Sequence, residues 1–386
     1  MLGFGVRLWE GRLRSRGGFF PGATLDMNFA NATYLGARPS DLTVVRASVA
    51  YGTNADGSLT SFGVNVPRIT ALGLLIEASR TNSVLQSQTL DNASWTKSSL
   101  TVTADTAVAP DGTTTADTLT ATGANGTLKQ GVATTAVSWA NSVWLKRKTG
   151  SGNVDTTMDG TNWVTQTINS STWTRCSVVQ TGVAGTSNPG VRLATSGDEV
   201  YAWGEQAEAG GYPTSYIPTV GATVTRAADD IILAGAAFAA VCSTAIGAWY
   251  AEGTSVNNAG GAQTRRLAEV NDGTASNRVL LGLFTNNQTR YLVSSGGAGV
   301  ADIFSAAAFS AVPVKLAARC NTNNFQQATW GVLGTPDVAG AIPAVSQITL
   351  GCDVAKTALA YIDGPLARLA YVPGVPTDAT ITSMSS

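Results

Sequence analysis

Alternation with a period of two residues runs through this chain, and sustained helical periodicity is nearly absent. In Ser142-Val-Trp-Leu-Lys-Arg-Lys148, Val143 and Leu145 take one side, while Ser142, Trp144, Lys146 and Lys148 take the other. Leu100, Val102 and Ala104 alternate with Thr101, Thr103 and Asp105. Trp173, Arg175, Ser177 and Val179 alternate with Thr174, Cys176 and Val178, and residues 199–206 alternate again. Successive side chains on a pleated strand point to opposite faces, so this pattern suits half-buried strands. Turn residues punctuate the runs, as in Gly150-Ser-Gly-Asn153 and Asn54-Ala-Asp-Gly57. The expectation is an all-β chain of tandem antiparallel β-sandwiches behind an extended N-terminal arm.

A length of 386 residues suggests two or three domains. Residues 1–22 read as an arm: Arg7, Arg12, Arg14 and Arg16 against Glu10 give a net of +3, and Gly17-Gly-Phe-Phe-Pro-Gly22 ends it. Residues 23–82 read as a connector with short strands. Residues 83–227 read as a first sandwich, rich in tryptophan (Trp95, Trp139, Trp144, Trp163, Trp173, Trp203). Residues 228–386 read as a second, richer in alanine. Pro213, Pro218 and Gly221-Ala-Thr-Val-Thr-Arg-Ala-Ala-Asp229 mark the boundary. No short-period repeat points to a solenoid.

Composition removes several functional classes. There is no histidine, which excludes Ser-His-Asp and Cys-His catalysis and histidine-ligated metals. A net charge of −1 lacks the basic face that nucleic-acid binding needs. Cys176, Cys242, Cys320 and Cys352 fit neither a zinc nor a redox spacing, and read as buried thiols, with a Cys320–Cys352 bridge left open. The N-terminus does not read as a signal peptide, because its arginines follow the apolar residues. Residues 231–251 carry no charge, but their content is mostly alanine with Gly235, Gly247, Ser243 and Thr244 inside. They read as strand, short helix (Ala236–Val241) and strand (Ala248–Glu252) rather than as a membrane span.

Several phrases carry a resemblance when taken in order. They are Arg46-Ala-Ser, Asn65-Val-Pro-Arg68, Gly73-Leu-Leu-Ile-Glu-Ala-Ser-Arg-Thr-Asn82 and Asn92-Ala-Ser-Trp-Thr-Lys97. Ala109-Pro-Asp-Gly-Thr-Thr-Thr-Ala-Asp117, Trp203-Gly-Glu-Gln-Ala-Glu-Ala-Gly210, Thr214-Ser-Tyr-Ile-Pro-Thr219 and Thr225-Arg-Ala-Ala-Asp229 complete the set. Over roughly residues 40–230 the chain resembles a family of bacteriophage virion proteins: tail, fibre or structural proteins. Ser142–Lys148 and Ser171-Thr-Trp-Thr-Arg175 resemble core strands of jelly-roll carbohydrate-binding modules. The last third, through Gly247-Ala-Trp-Tyr-Ala-Glu252, Lys315-Leu-Ala-Ala-Arg319, Gln347-Ile-Thr-Leu-Gly351 and residues 361–373, is similar to a concanavalin-A/laminin-G-like lectin sandwich, with Pro376-Thr-Asp-Ala-Thr-Ile-Thr-Ser as a short closing helix. The resemblance implies a virion appendage, usually trimeric, whose sandwiches often bind glycans, and it implies no single enzyme activity.

A sugar site needs flat aromatic faces and a few polar groups for the hydroxyls. Trp144 is the strand candidate, since it faces away from Val143 and Leu145 beside Lys146. Trp163 is the loop candidate, next to Asp159 and Asn162, followed by Trp139 and Tyr212. The alternative for each is core or subunit packing, to which Trp173 and Trp203 are assigned. Glu205 and Glu208 would be a glycosidase pair only if they converged, and three positions apart on a strand they face opposite ways. Ser94-Trp-Thr-Lys97 and Lys148-Thr-Gly150 match two elements of penicillin-binding enzymes by chance, because the third is missing. No catalytic residue is assigned and no cofactor is expected. Asp91, Asp111, Asp117 and Asp353 are generic oxygen donors for a structural calcium. In the arm, Arg7, Trp9, Arg12, Arg14, Arg16, Phe19 and Phe20 are the anchoring candidates.

The function expected is a virion appendage that docks through its N-terminus and presents glycan-binding sandwiches to host-surface polysaccharide or lipopolysaccharide. It would be a homotrimer assembled in the host cytoplasm and acting at the host surface, with partners among virion proteins, without nucleic acid or membrane insertion. Two alternatives stay open: a decoration protein of tail, neck or head that binds no glycan, and a carboxylate-dependent depolymerase.

Overall fold

The computed structural model describes residues 18–182, 184–255, 264–284, 288–305, 308 and 313–386. The anchoring candidates Arg7, Trp9, Arg12, Arg14 and Arg16 lie outside them. The described chain is all-β and its sheets are antiparallel. It divides into two compact units: Val44–Thr70 with Glu77–Asp229, and the residues up to Thr43 with Ala71–Ile76 and Asp230–Ser386. The stretch 23–82, expected as a separate connector, is therefore shared between both. Its apolar strands cannot bury a face alone, so each joins a sandwich.

The first unit is a jelly-roll sandwich. One five-stranded sheet runs Leu100–Ala107, Ala116–Ala121, Glu199–Ala209, Ser138–Thr149, Thr174–Thr181. The other runs Val164–Gln166, Val154–Thr157, Gly190–Leu193, Gly126–Lys129, Thr96–Ser98. Between them, Trp139, Val143, Leu145, Cys176, Val178, Val191, Leu193, Val200 and Ala202 form one apolar core. The alternation around Trp144 is thus realised as expected, with Val143 and Leu145 inside.

One bulge resets that alternation. Ser142 pairs with Gln206 and Trp144 with Trp203, so Gly204 and Glu205 together face the single residue Val143. Gly204 adopts φ +70°, and a Cβ there would meet the Trp144 ring at 2.9 Å. Glycine is the residue that takes this conformation without strain.

The second unit also pairs two sheets. One runs Thr33–Leu35, Leu25–Asn28, Gly364–Pro373, Gly247–Gly253, Val314–Cys320, Gln326–Thr329, Val332–Leu333, with Gly73–Ile76 paired to Gly364–Pro373. The other contains, in order, Ala298–Phe304, Thr289–Ser295, Arg278–Leu283, Arg265–Asn271, Gln347–Leu350 and Asp230–Ala234. The Tyr291 hydroxyl donates to the Arg319 carbonyl across the two at 3.0 Å. The residues read as strand, helix and strand form helix Gly235–Val241 and strand Gly247–Gly253. Among the described residues, no helix is long and apolar enough to cross a membrane. The closing helix is Asp378–Ser385, capped by Thr377 accepting from the Thr380 N–H. Its Ile381 and Met384 bury against Ala248, Tyr250, Ala317 and Ala370. All four cysteines are buried and free, so Cys320 and Cys352 form no bridge.

Candidate functional site

Five of the phrases that carried the resemblance, those with Arg46, Arg68, Glu77, Ser215 and Arg226–Asp229, meet in a buried ion cluster of the first unit. Arg46 binds Asp229 at 2.9 Å and Arg68 binds Glu77 at 2.7 Å, and Arg68 also pairs with Asp229. Arg226 lies 3.5 Å from Glu77, while the Ser215 N–H and hydroxyl donate to the same carboxylate at 2.8 and 2.6 Å. Burial pushes the Glu77 acid up, but Arg226 and Arg68 outweigh it and hold it at about 2. All five charged groups are buried, so the cluster staples segments distant in sequence and offers nothing to a ligand.

Several tryptophan and tyrosine candidates prove to be packing residues. Trp144 is 3% exposed: it meets Trp203 and Tyr216 edge-on at 5.5 and 5.4 Å, and the Arg175 guanidinium lies 4.5 Å over its ring. The reason is a hairpin, Ala50–Thr53 with Leu59–Phe62, whose Tyr51 and Leu59 pack with Tyr216 on that half of the sheet face. Trp139 shares the inward parity of Val143 and sits in the inter-sheet core. Tyr212 is buried under Arg80, which donates to its hydroxyl at 3.0 Å. In the arm, Phe20 is committed to this chain's own fold, edge-on to Tyr250 at 5.0 Å with Arg368 3.9 Å over its ring, whereas Phe19 is exposed.

The loop candidate is more open. Trp163 is half-buried, with the Arg192 guanidinium 4.9 Å over its ring and Arg192 paired to Asp155 at 2.8 Å. Asp159 is spent on its own turn, accepting from the Thr161 and Asn162 N–H groups and from the Asn162 and Thr157 side chains. Burial would raise its acid, but these bonds prevail and hold it at about 2. Trp163 therefore stands beside an already satisfied ion pair and a turn whose carboxylate is spent.

The open end of the Ser138–Thr149 sheet face gathers residues that sequence reasoning assigned elsewhere. Lys146 pairs with Tyr201, which pairs with Thr118, which pairs with Thr103, a row across four strands. Trp173 closes the row: its ring lies 6.4 Å from that of Tyr201, and its Nε1 donates to the Val108 carbonyl at 3.1 Å. The Lys146 ammonium stands 5.2 Å from the Trp173 centroid and 5.4 Å from that of Tyr201. Lys148 lies 5.7 Å from the Tyr201 ring and pairs with Glu199 at 3.3 Å. The bond from Thr120 and the nearby Lys148 lower the Glu199 acid. Trp173, Tyr201 and Lys146 are each half-buried, so two rings and a cation reach the surface; of the row's threonines Thr103 is exposed, while Thr118 is buried against Thr106. This patch can hold a ring's C–H face and its hydroxyls. The packing expected of Trp173 is realised in part: it lies against the Trp144–Trp203 cluster and keeps part of its ring at the surface.

The two carboxylates of the glycosidase reading do not converge. After the bulge, Glu205 points into the inter-sheet core beside Asn141, and burial pushes its acid up to about 8. Glu208 points to the other face, where it accepts from the Thr214 N–H and hydroxyl at 2.7 Å each and from Gln206. Both are fully buried. Of the calcium candidates, Asp111 closes a turn with Thr113, and Asp353 accepts from the Thr357 N–H and lies 3.8 Å from Arg266. Asp117 accepts from the Leu90 and Asp105 N–H groups. Beside Asp91 the chain places its own cation: the Lys97 ammonium donates to the Asp91 and Asn92 carbonyls at 2.7 Å. Among the described residues no group of three His, Cys, Asp or Glu is arranged to hold a metal.

No family model and no curated protein sequence matches the chain. Among solved structures, it is similar to the CBM40 of the Ruminococcus gnavus IT-sialidase, at 13% identity over 36% of this chain and 82% of that one, with a TM-score of 0.30. It is similar to the leech intramolecular trans-sialidase at 12% identity, over 36% of this chain and 23% of that one, with a TM-score of 0.30. The N-terminal CBM22-1–CBM22-2 tandem domain of Paenibacillus barcinonensis Xyn10C matches at 10% identity over 80% of this chain and 94% of that one, with a TM-score of 0.27. Overlaps this low leave the reading of the site to its own side chains.

Proposed function

We propose that this chain is a bacteriophage virion appendage that attaches the particle to host-surface glycans through the Trp173–Tyr201 patch. The observation that carries the glycan reading is the pair of half-buried rings beside Lys146 and Lys148. An aromatic face takes the C–H surface of a sugar ring, and flanking hydroxyls and ammonium groups exchange hydrogen bonds with its hydroxyls. The virion reading is supported by the ordered phrases, whose Arg46, Arg68, Glu77, Ser215, Arg226 and Asp229 fold into one cluster. A homotrimer docked through residues 1–22 would present three weak sites together, and avidity would set the useful affinity. The reading invokes no catalytic residue and no cofactor.

The test is binding of the full chain to an array of bacterial surface saccharides and to host cells. Trp173→Ala and Tyr201→Ala should each weaken binding about tenfold or more, the worth of one stacking contact with its buried area. Binding that survives both substitutions, or its absence from every saccharide and from cells, rejects the reading.

A decoration role without glycan binding is favoured by one observation, the covering of the Trp144–Trp203 half of the same face by the chain's own hairpin. Incorporation into particles together with a blank array would select it.

A further inference from the structure

We infer that the saccharide held at the Trp173–Tyr201 patch is an acidic one, its carboxylate or phosphate received by the Lys146 ammonium; this rests on the glycan-binding reading above. The cations around the patch are otherwise committed. Lys148 is paired with Glu199, Arg147 binds Asp198 at 3.1 Å, and Arg175 donates to the Ser142 hydroxyl at 3.0 Å. Lys146 has no ion pair or hydrogen bond with the described residues, only the two ring faces at 5.2 and 5.4 Å. The Tyr201 hydroxyl beside it likewise lacks a protein partner among them. An ammonium beside two ring faces is shielded from water on those sides, and the faces replace only some of the hydration they displace. An anionic oxygen completes it with a charge-assisted hydrogen bond, which a neutral hydroxyl does more weakly.

Geometry adds to this. The rings on either side restrict the lysine stem, so less side-chain freedom is lost when a ligand arrives. The patch carries Lys146 and Lys148 against Glu199, a local net of +1 on a chain of net −1. That balance favours a single acidic sugar group over an extended polyanion such as nucleic acid, which needs many phosphate contacts.

The experiment compares the full chain with Lys146→Gln, Lys146→Arg and Trp173→Ala on the saccharide array and on three polymers: polygalacturonate, phosphomannan and dextran. Circular dichroism checks that each variant is folded. Acidic saccharides should bind in preference to neutral ones, and salt should weaken them. Lys146→Gln should lower acidic binding about tenfold while Lys146→Arg retains it, as for a charge-assisted contact. Polygalacturonate against phosphomannan tells which anion is preferred. Neutral saccharides bound as well as acidic ones, with Lys146→Gln without effect, would overturn this inference and leave the glycan reading standing. No saccharide bound by the unaltered chain would overturn both.

Discussion

The Glu205 side chain couples the first sandwich to pH. The Glu205 carboxyl group is fully buried between the sheets near Asn141. Asn141 has committed its Nδ2 to the Thr157 carbonyl at 2.9 Å. Burial raises the Glu205 acid from 4.5 to about 8, against the lowering effect of Asn141. The folded chain therefore holds a proton that the unfolded chain has released, so stability is full below 4.5 and declines as pH climbs to about 8. The slope within that window reaches about 1.4 kcal/mol per pH unit. Glu205→Gln keeps the shape and removes the titration. Its denaturation midpoint should fall less between pH 4.5 and pH 8 than that of the parent, keeping the decline owed to Asp117, whose acid burial raises to about 6. Parallel curves for the two proteins would show that Glu205 is not held neutral.

At the scale of elements, the bulge in Glu199–Ala209 decides which side chains enter the core. In unbroken alternation from Trp203, Glu205 would share the face of Trp203, and Ala207 would leave the inter-sheet core. Gly204→Ala puts a Cβ 2.9 Å from the Trp144 ring at a left-handed φ, and should cost about 1–3 kcal/mol in chemical denaturation. The hairpin Ala50–Phe62 is a second such element. By covering Trp144 and Trp203 with Tyr51, Leu59 and Tyr216, it moves the accessible aromatic surface to Trp173 and Tyr201. The period-2 pattern had divided the faces of this sheet correctly. It held no information on which half of the outer face another segment would occupy, because that segment lies more than 80 residues upstream of Trp144.

At the scale of the whole molecule, both units borrow chain from before Asn82, and in the first unit the ion cluster fixes that loan. Asp229 receives both Arg46 and Arg68 with no solvent nearby. Asp229→Ala leaves two buried guanidinium groups short of charge and should destabilise the first unit by about 3–5 kcal/mol, read as a lower denaturation midpoint. A surface pair such as Arg290–Asp302, with Asp302 44% exposed, should yield no more than about 1 kcal/mol on the same substitution. If both variants lose equally little, the cluster does not staple the unit.

Much of this protein is legible in its sequence. Alternation and turn residues determine an all-β fold, because a strand's two faces are written into every second residue. The lack of histidine and of spaced cysteines determines which chemistries are closed, since those need particular atoms. The site is a different matter. Trp144, Trp139 and Tyr212 carried the right chemistry at the right periodicity, yet they are buried, and Trp173 is at the surface. Strand periodicity tells a side chain which face it occupies. Whether that face meets water depends on long-range packing, here of the 50–62 hairpin and Tyr216, and only the tertiary structure decides it.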